Sequence, residues 1–517
     1  MIPAGAKRFV VLIALLFGWQ SSSRADEASI ADLQRRLEAV EQQNAQLLEA
    51  IEHARVSGTQ SATGGQAATP SDAEVPIYQP ANVEYSTTPT AVPEASLNPL
   101  HLSASWHNGL ELESADKAFK VHVGGRTQFD LGWYDADDEL QFGPGGTGEF
   151  RDGVDFRRAR FRIDGTMYES IEWAAEYDFA NMVREGNSTF STTAFTDLWW
   201  TFTNLPYVGN LRVGNMKDPI GFEHLVSSRF LPFIERSYNQ DSFYGPFNNG
   251  FTPGAMLFNQ IFDDRMTWWA GLFKPSTHPF SFNTGDGEWE AVGRVTILPW
   301  YEDEGRQVLH FGFSAKHADL DEGVIRFRAR NSIRSGAIPA WPILADTRSG
   351  GIDIAGDDNN MLNGELAAVC GSWTLQSEYL LSYVTDASQN AIQDVGTVEY
   401  HGGYVQVLYF LTGEHDIYNR KTGVFDRVIP NQNFLPCGDC KPGGIGAWQV
   451  GVRYSHLDLN DKAIDGGKLD DLTVGLNWFL NPNMKIQANY TAAHRDSATR
   501  LSDGTVHSIG MRFAHDF

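Results

Sequence analysis

Cysteine is scarce, at three in 517 residues. Cys437 and Cys440 enclose Gly438-Asp439 in a loop between prolines, and Cys370 stands alone. A zinc site would need a second pair of ligands, and a redox pair of this spacing normally opens a helix; neither is found here. That leaves Cys437–Cys440 as a candidate loop-pinning disulfide in an oxidising compartment. Long apolar runs are missing too. The one present, Phe9 to Trp19, follows Lys7 and Arg8 and precedes Ser23-Arg24-Ala25. Residues 1–25 therefore read as a secretory signal peptide, too short to span a bilayer. Nothing else approaches the ~20 apolar residues of a membrane helix, and mean hydropathy is −0.31. Any membrane crossing must then be made by strands. Positive charge is in deficit: 40 Lys and Arg stand against 65 Asp and Glu, a formal charge of −25. Beyond residue 100 the balance is 34 against 54, or −20, which excludes a basic nucleic-acid binder and so a nucleic-acid partner. Enzyme motifs are absent as well: no G-x-S-x-G, no H-E-x-x-H and no P-loop. Gly143-Pro144-Gly145-Gly146-Thr147-Gly148 precedes no helix and reads as an external loop. Asp135-Ala136-Asp137-Asp138-Glu139 reads as a solvated loop before a calcium site. No enzyme, cofactor or metal is expected.

What is abundant is glycine (50) and aromatic residues (14 Trp, 17 Tyr, 32 Phe), in segments that alternate apolar and polar side chains. Between Gly446 and Phe517 four such segments follow one another. Trp448, Val450, Val452 and Tyr454 share a face, as do Leu472, Val474, Leu476, Trp478 and Leu480. In the third, Met484, Ile486, Ala488 and Tyr490 oppose Lys485, Gln487, Asn489 and Thr491. The fourth sets Ile509, Met511, Phe513 and Phe517 against Ser508, Gly510, Arg512 and Asp516. A period of two means strands whose faces meet different surroundings. In a sandwich the apolar face would be core; in an outer-membrane barrel it meets lipid. Export and aromatic content favour the barrel.

The chain divides by composition. Ile30, Leu33, Leu37, Val40, Asn44, Leu47 and Ile51 form a heptad seam with Asn44 at an a position, so residues 26–55 read as a short α-helical coiled coil in the periplasm. Residues 56–100, rich in Ser, Thr, Gly and Pro, read as a flexible linker. Residues 101–517 read as an all-β, transmembrane antiparallel β-barrel of about sixteen strands. The expected strands are 121–133, 156–167, 171–181, 195–204, 211–216, 251–261, 266–274, 289–299, 307–317, 361–370, 372–385 and 398–412, with the four terminal ones. Short turns at 168–170, 206–209, 262–264, 301–305, 371 and 481–482 alternate with longer polar loops, the asymmetry of short periplasmic turns and long external loops. Residues 413–443 break it, being long where a short turn is due, and are expected to fold into or under the barrel.

Arg158, Arg160 and Arg162 lie on one face of the second strand. Near the bilayer midplane each would cost about 2–4 kcal/mol on the lipid side, so they face the lumen. Arg126 shares an inward face with Gln128 and Asp130. Arg326, Arg328, Arg330 and Arg334 repeat the period of two in a long loop. Arginine presents a fork of donors matched to phosphate and carboxylate. These residues then either line a path for anions or pair with Asp155, Asp164 and other lumen acids to brace the wall.

Several segments resemble the phosphate-selective porin O and P family of bacterial outer-membrane channels. They are Arg157-Arg158-Ala159-Arg160, Val213 to Glu223 (VGNMKDPIGFE), Phe233-Ile234-Glu235-Arg236-Ser237, Tyr404 to Glu414, Arg453 to Asn460 and Gly475 to Asn483, in order along the chain. The resemblance implies a sixteen-stranded barrel in the outer membrane, embedded in its lipid and usually a homotrimer. It also implies inward-folded loops and an arginine-rich path for inorganic phosphate or other small anions. On it, Lys217 to Asn249 is the constriction loop, and the candidate anion-binding residues are Arg126, Arg158, Arg160, Arg162, Lys217, Arg326, Arg328 and Arg330. By likeness to outer-membrane proteins generally, Phe517 is the terminal aromatic that the barrel-assembly machinery reads. The competing readings are a general or cation-preferring pore, to which the acidic total charge gives weight, and a structural envelope protein tethered to the cell wall through the coiled coil.

Overall fold

In the final strands the apolar side chains are the exposed ones. Val452, Leu472 and Ile509 are 47%, 48% and 53% exposed, whereas Arg453 and Arg512 are 1% and 0%. A water-soluble sandwich would show the reverse. Alternation with the polar face enclosed identifies the outward face as the lipid-facing one.

The computed structural model describes residues 101–517 apart from stretches within 181–193 and at 245–249, 276–288, 321–322, 335–341, 350, 390–392, 435–442 and 498–500. The expected signal peptide, coiled coil, linker and Cys437–Cys440 disulfide all lie outside the described residues. The remaining cysteine, Cys370, is free and exposed.

The wall has sixteen strands. They are β1 (Phe119–Ala136), β2 (Gly153–Met167), β3 (Ile171–Asp178), β4 (Ala194–Leu205), β5 (Gly209–Lys217), β6 (Phe251–Ile261), β7 (Met266–Phe273) and β8 (Glu290–Glu302). The second half comprises β9 (Gln307–Asp319), β10 (Asp358–Cys370), β11 (Trp373–Gln389), β12 (Gln393–Phe410), β13 (Ala447–Asp461), β14 (Ile464–Asn481), β15 (Met484–Asp496) and β16 (Gly504–Asp516). Each pairs antiparallel with the next. β16 closes on β1 with Met511 opposite Leu131 and Arg512 opposite Asp130, so the wall has no free edge, as lipid demands. The seam ends in backbone bonds between Gly125 and Phe517. A Cβ on Gly125 would come 2.9 Å from the Phe517 ring, so glycine here lets the terminal aromatic lie against the wall. Ahead of β1, a hairpin (Leu102–Trp106, Leu110–Ser114) pairs with the start of that strand.

The polarity rule inverts toward the long-loop end. There Leu457, Leu459 and Leu469 point inward and are fully buried, while Tyr400, Val398 and Val384 join them from β11 and β12. They enclose inserted loop residues, among them Phe243, Phe327, Ala329 and Leu344. This is why β13 and β14 run on to Asp461 and start at Ile464. The sequence pattern ended the apolar alternation at Ser455 and resumed it at Leu472, because His456, Asp458 and Asp470 occupy outward positions beyond lipid.

Two segments enter the lumen from opposite ends. Residues 218–244, after β5, fold inward and reach the far wall. Leu231 O accepts from Lys485 Nζ and Gln487, Ile234 N donates to Asn489, and Glu235 meets Arg512. After β12, residues 411–434 of the long connection enter from the turn end and form a hairpin (Tyr418–Asn419, Val424–Phe425). Its Tyr418 hydroxyl lies 2.7 Å from His310 Nδ1, and Phe425 meets Phe222 of the other segment at 5.1 Å. The anomalous length of this connection is thereby explained.

Candidate functional site

The inward segment after β5 rests on the far wall and leaves a cavity of about 250 Å³ against β1, β2 and β4–β7. The cations lining it are Arg126, Arg158, Arg160, Arg212, Lys217, Arg236 and Lys421, against a single carboxylate, Asp197. Ser227, Ser228, Phe251, Phe258 and Trp269 complete its principal surfaces.

Wall geometry explains the asymmetry. Inward residues of adjacent strands face one another in register, Arg162 with Glu176 and Arg160 with Asp178. Glu176 accepts from Arg126 at 2.6 Å and from Arg160 at 3.0 Å, and Asp178 accepts from Arg160 at 2.7 Å. Both acids are buried and neither lines the cavity. Glu235, on the inward segment, serves Arg157 (2.9 Å), Arg158 (3.4 Å) and Arg512 (3.2 Å). Burial alone would raise its pKa, yet Arg157, Arg158 and Arg512 hold the Glu235 carboxyl well below the usual range. Carboxylates thus orient the guanidiniums, and Arg126, Arg158 and Arg160 line the cavity while Glu176 and Asp178 do not.

Three of the lining cations are held differently. Arg212 Nε donates to Thr201 Oγ1 at 2.8 Å, and its guanidinium lies 3.8 Å from the Trp199 ring. Lys217 Nζ donates to the carbonyls of His224 and Val226. Arg236 donates to the carbonyls of Glu223 (2.8 Å) and Val226 (2.5 Å). Among the described residues none of the three has a carboxylate within 4 Å. Burial lowers the Arg236 pKa to about 10. Burial, with Arg126 adding to it, lowers that of neighbouring Arg229, which lies 3.9 Å from Glu176 and from Asp516, to about 9. Both therefore remain cationic at neutral pH. Buried charges without counter-charges favour a mobile anion.

A smaller cavity toward the turn end shares Arg126 and is lined further by Arg229, Arg427, Lys485 and Asp516. Arg126 stands between the two, so the cationic lining continues toward that end.

Of the expected site residues, Arg126, Arg158, Arg160 and Lys217 are brought together in the main cavity. Arg162 faces inward below them, paired with Asp164 (2.8 Å) and Asp197 (2.7 Å). Arg326, Arg328 and Arg330 are placed elsewhere, in a loop hairpin (Arg328–Arg330, Ile343–Asp346) within the loop-end apolar region. Arg326 pairs with Asp346, while Arg330 and Arg334 pair with Asp241 of the helical turn Tyr238–Ser242. Arg212 and Lys421 were not anticipated. Arg212 sits alone in β5, without the repeat that marks β2, and Lys421 belongs to the anomalous connection. Arg157 turns inward because β2 bulges there, with Gln128 opposite Arg158 and Phe129 opposite Phe156. A strict period of two puts Arg157 outward.

Residues 121–517 match the family described as phosphate-selective porin O and P. The chain belongs to this family. Among relatives of this porin, Porin O of Pseudomonas aeruginosa is 27% identical over 412 residues, 76% of this chain and 86% of that one. An uncharacterized protein of Caulobacter vibrioides is 26% identical over 459 residues, 85% of this chain and 82% of the other. Among solved structures, an anion-selective porin from Comamonas acidovorans matches at 12% identity with a TM-score of 0.43, covering 77% of this chain and 100% of that one. Family membership and the closed wall with its lipid-facing band make the porin an outer-membrane channel.

Proposed function

We propose that the porin passes small anions, phosphate and related oxyanions first, along the cationic cavity and out past Arg126. The observation that carries this is the lining: seven basic side chains to one carboxylate, four of them (Arg212, Lys217, Arg236 and Lys421) with no acid within 4 Å among the described residues. The −25 total charge does not oppose it, since charges beyond about 10 Å are screened and the lining acts at contact. Arg158 and Arg160 line the passage while held by carboxylates, and Arg212 and Arg236 contribute charge with no carboxylate within 4 Å among the described residues. Binding at several comparable sites, each weak, suits passage better than one deep site. Arg162, Arg326, Arg328 and Arg330 act in this reading as braces of the wall and the inserted loop. A homotrimer, which the family resemblance implies, belongs to the same proposal, as does recognition of Phe517 during assembly.

Reversal potentials in planar bilayers under a potassium chloride gradient test the function. Anion preference, with chloride current inhibited by phosphate, is the expected result. Cation preference would overturn the proposal, and absence of conductance from a folded barrel would favour an envelope-tethering role.

A further inference from the structure

Outside the lumen, the wall assembles one cluster of metal-ligating side chains among the described residues. Register sets His401 of β12 opposite Asp458 of β13, and Gly403 opposite His456. All three ionisable side chains point outward, because their neighbours Gly402, Leu457 and Leu459 are buried on the inner face. His401, His456 and Asp458 each offer a ligand atom, and these atoms lie within 4.8 Å of one another. The two imidazole rings are 5.7 Å apart.

A second layer supports them. His456 Nδ1 lies 2.9 Å from Asp470 Oδ1 on β14, and the Tyr454 hydroxyl donates to the same oxygen. This contact occupies one ring nitrogen and leaves Nε2 for a metal, the carboxylate–histidine arrangement that orients ligating imidazoles. His401 packs beside Tyr379, 5.9 Å between ring centroids. Gly403, the outward residue opposite His456, has no side chain to cover it. The cluster lies just beyond the apolar band, since the outward positions before it are Val405 on β12, Tyr454 on β13 and Leu472 on β14. Paired strands hold the donors rigidly, as a preformed site requires.

We propose that His401, His456 and Asp458 form a binding site for a divalent transition metal of the zinc class, with Asp470 as a positioning residue. Two imidazoles and one carboxylate suit zinc, whereas magnesium and calcium prefer sets made only of oxygen. Three protein ligands leave a coordination position open to the outside.

The test is calorimetric titration of zinc chloride into the untagged, full-length porin in detergent after chelation. One high-affinity zinc per protomer is expected. It should be lost in His401→Ala/His456→Ala, and weakened about 10- to 100-fold in Asp470→Asn, the usual range for an orienting partner. Conductance of the variants should match the parent, which shows that the barrel is intact. Should the double variant fail to fold, Asp458→Asn and His456→Gln, each tested alone, carry the same expectation of weakened binding. No zinc bound by the parent, or equal affinity and stoichiometry in folded variants, would overturn the site. Displacement of zinc by excess magnesium would overturn its chemical class.

Discussion

Replacing Arg212 with Met separates selectivity from stability. Among the described residues Arg212 has no carboxylate within 4 Å, and its fork stacks on Trp199 and approaches Phe258 at 5.2 Å. Methionine preserves much of that contact and strands no acid. What it removes is a unit charge beside the passage. At about 4 Å such a charge attracts an anion by roughly 1 kcal/mol in bulk water and about 4 kcal/mol at an effective dielectric of 20. A narrow wet lumen lies between these limits, so an affinity loss on the order of ten-fold corresponds to about 1.4 kcal/mol. The assay is the phosphate concentration that half-inhibits chloride current, with the reversal potential recorded on the same channels. Arg160→Ala makes the contrast. It leaves Asp178 unpaired and takes one partner from Glu176, both buried. Breaking a buried pair typically costs about 3–5 kcal/mol, so this variant should first reduce the yield of folded barrel, and Arg160→Lys should reduce it less. Unchanged phosphate inhibition and reversal potential in a folded Arg212→Met channel would refute the reasoning.

Three further outcomes are expected. Burial opposes ionisation of Asp241, yet Arg330 and Arg334 hold its carboxyl well below the usual range. A lowered folded-state pKa gives stability that is present above the ordinary aspartate value and lost as pH falls through the folded one. The inserted loops should therefore keep their conductance from pH 7 to about 4, whereas Asp241→Asn should loosen them at neutral pH, seen as a larger, noisier conductance; identical conductance would count against this anchor. Deleting Phe517 should lower the amount of folded porin on heat-modifiability gels while surviving channels conduct normally. A peptide spanning residues 26–55 should self-associate in sedimentation equilibrium, and Asn44→Leu should alter its oligomer preference; a monomer in both versions would refute the coiled coil.

All sixteen strands could be read from alternation, because lipid on one face and a polar lumen on the other enforce a period of two. The pattern failed where the surroundings changed. Between His456 and Asp471 the outward face meets water and the inward face meets loop side chains, so the alternation reverses and reads as a loop. Arg158 and Arg160 were legible as inward residues, but their partners were not. Glu176 and Asp178 become evident only once β2 is set in register with β3, and Glu235 arrives from a distant segment. Arg326, Arg328 and Arg330 repeat as the β2 row does, and nothing local to them reveals that Asp241 and Asp346 are their neighbours. Lys421 was hidden for the same reason, since its route into the lumen is a tertiary matter.

The meeting of Phe222 with Phe425 bears on the order of assembly. One ring comes from the segment after β5 and the other from the connection between β12 and β13, so they cannot meet until most of the wall exists. Contacts between segments so distant in the chain form late, after the intervening loop entropy has been lost. The aperture is thus set by the last parts to settle, and a closed wall whose inner segments have not yet met would be a wider and less discriminating hole.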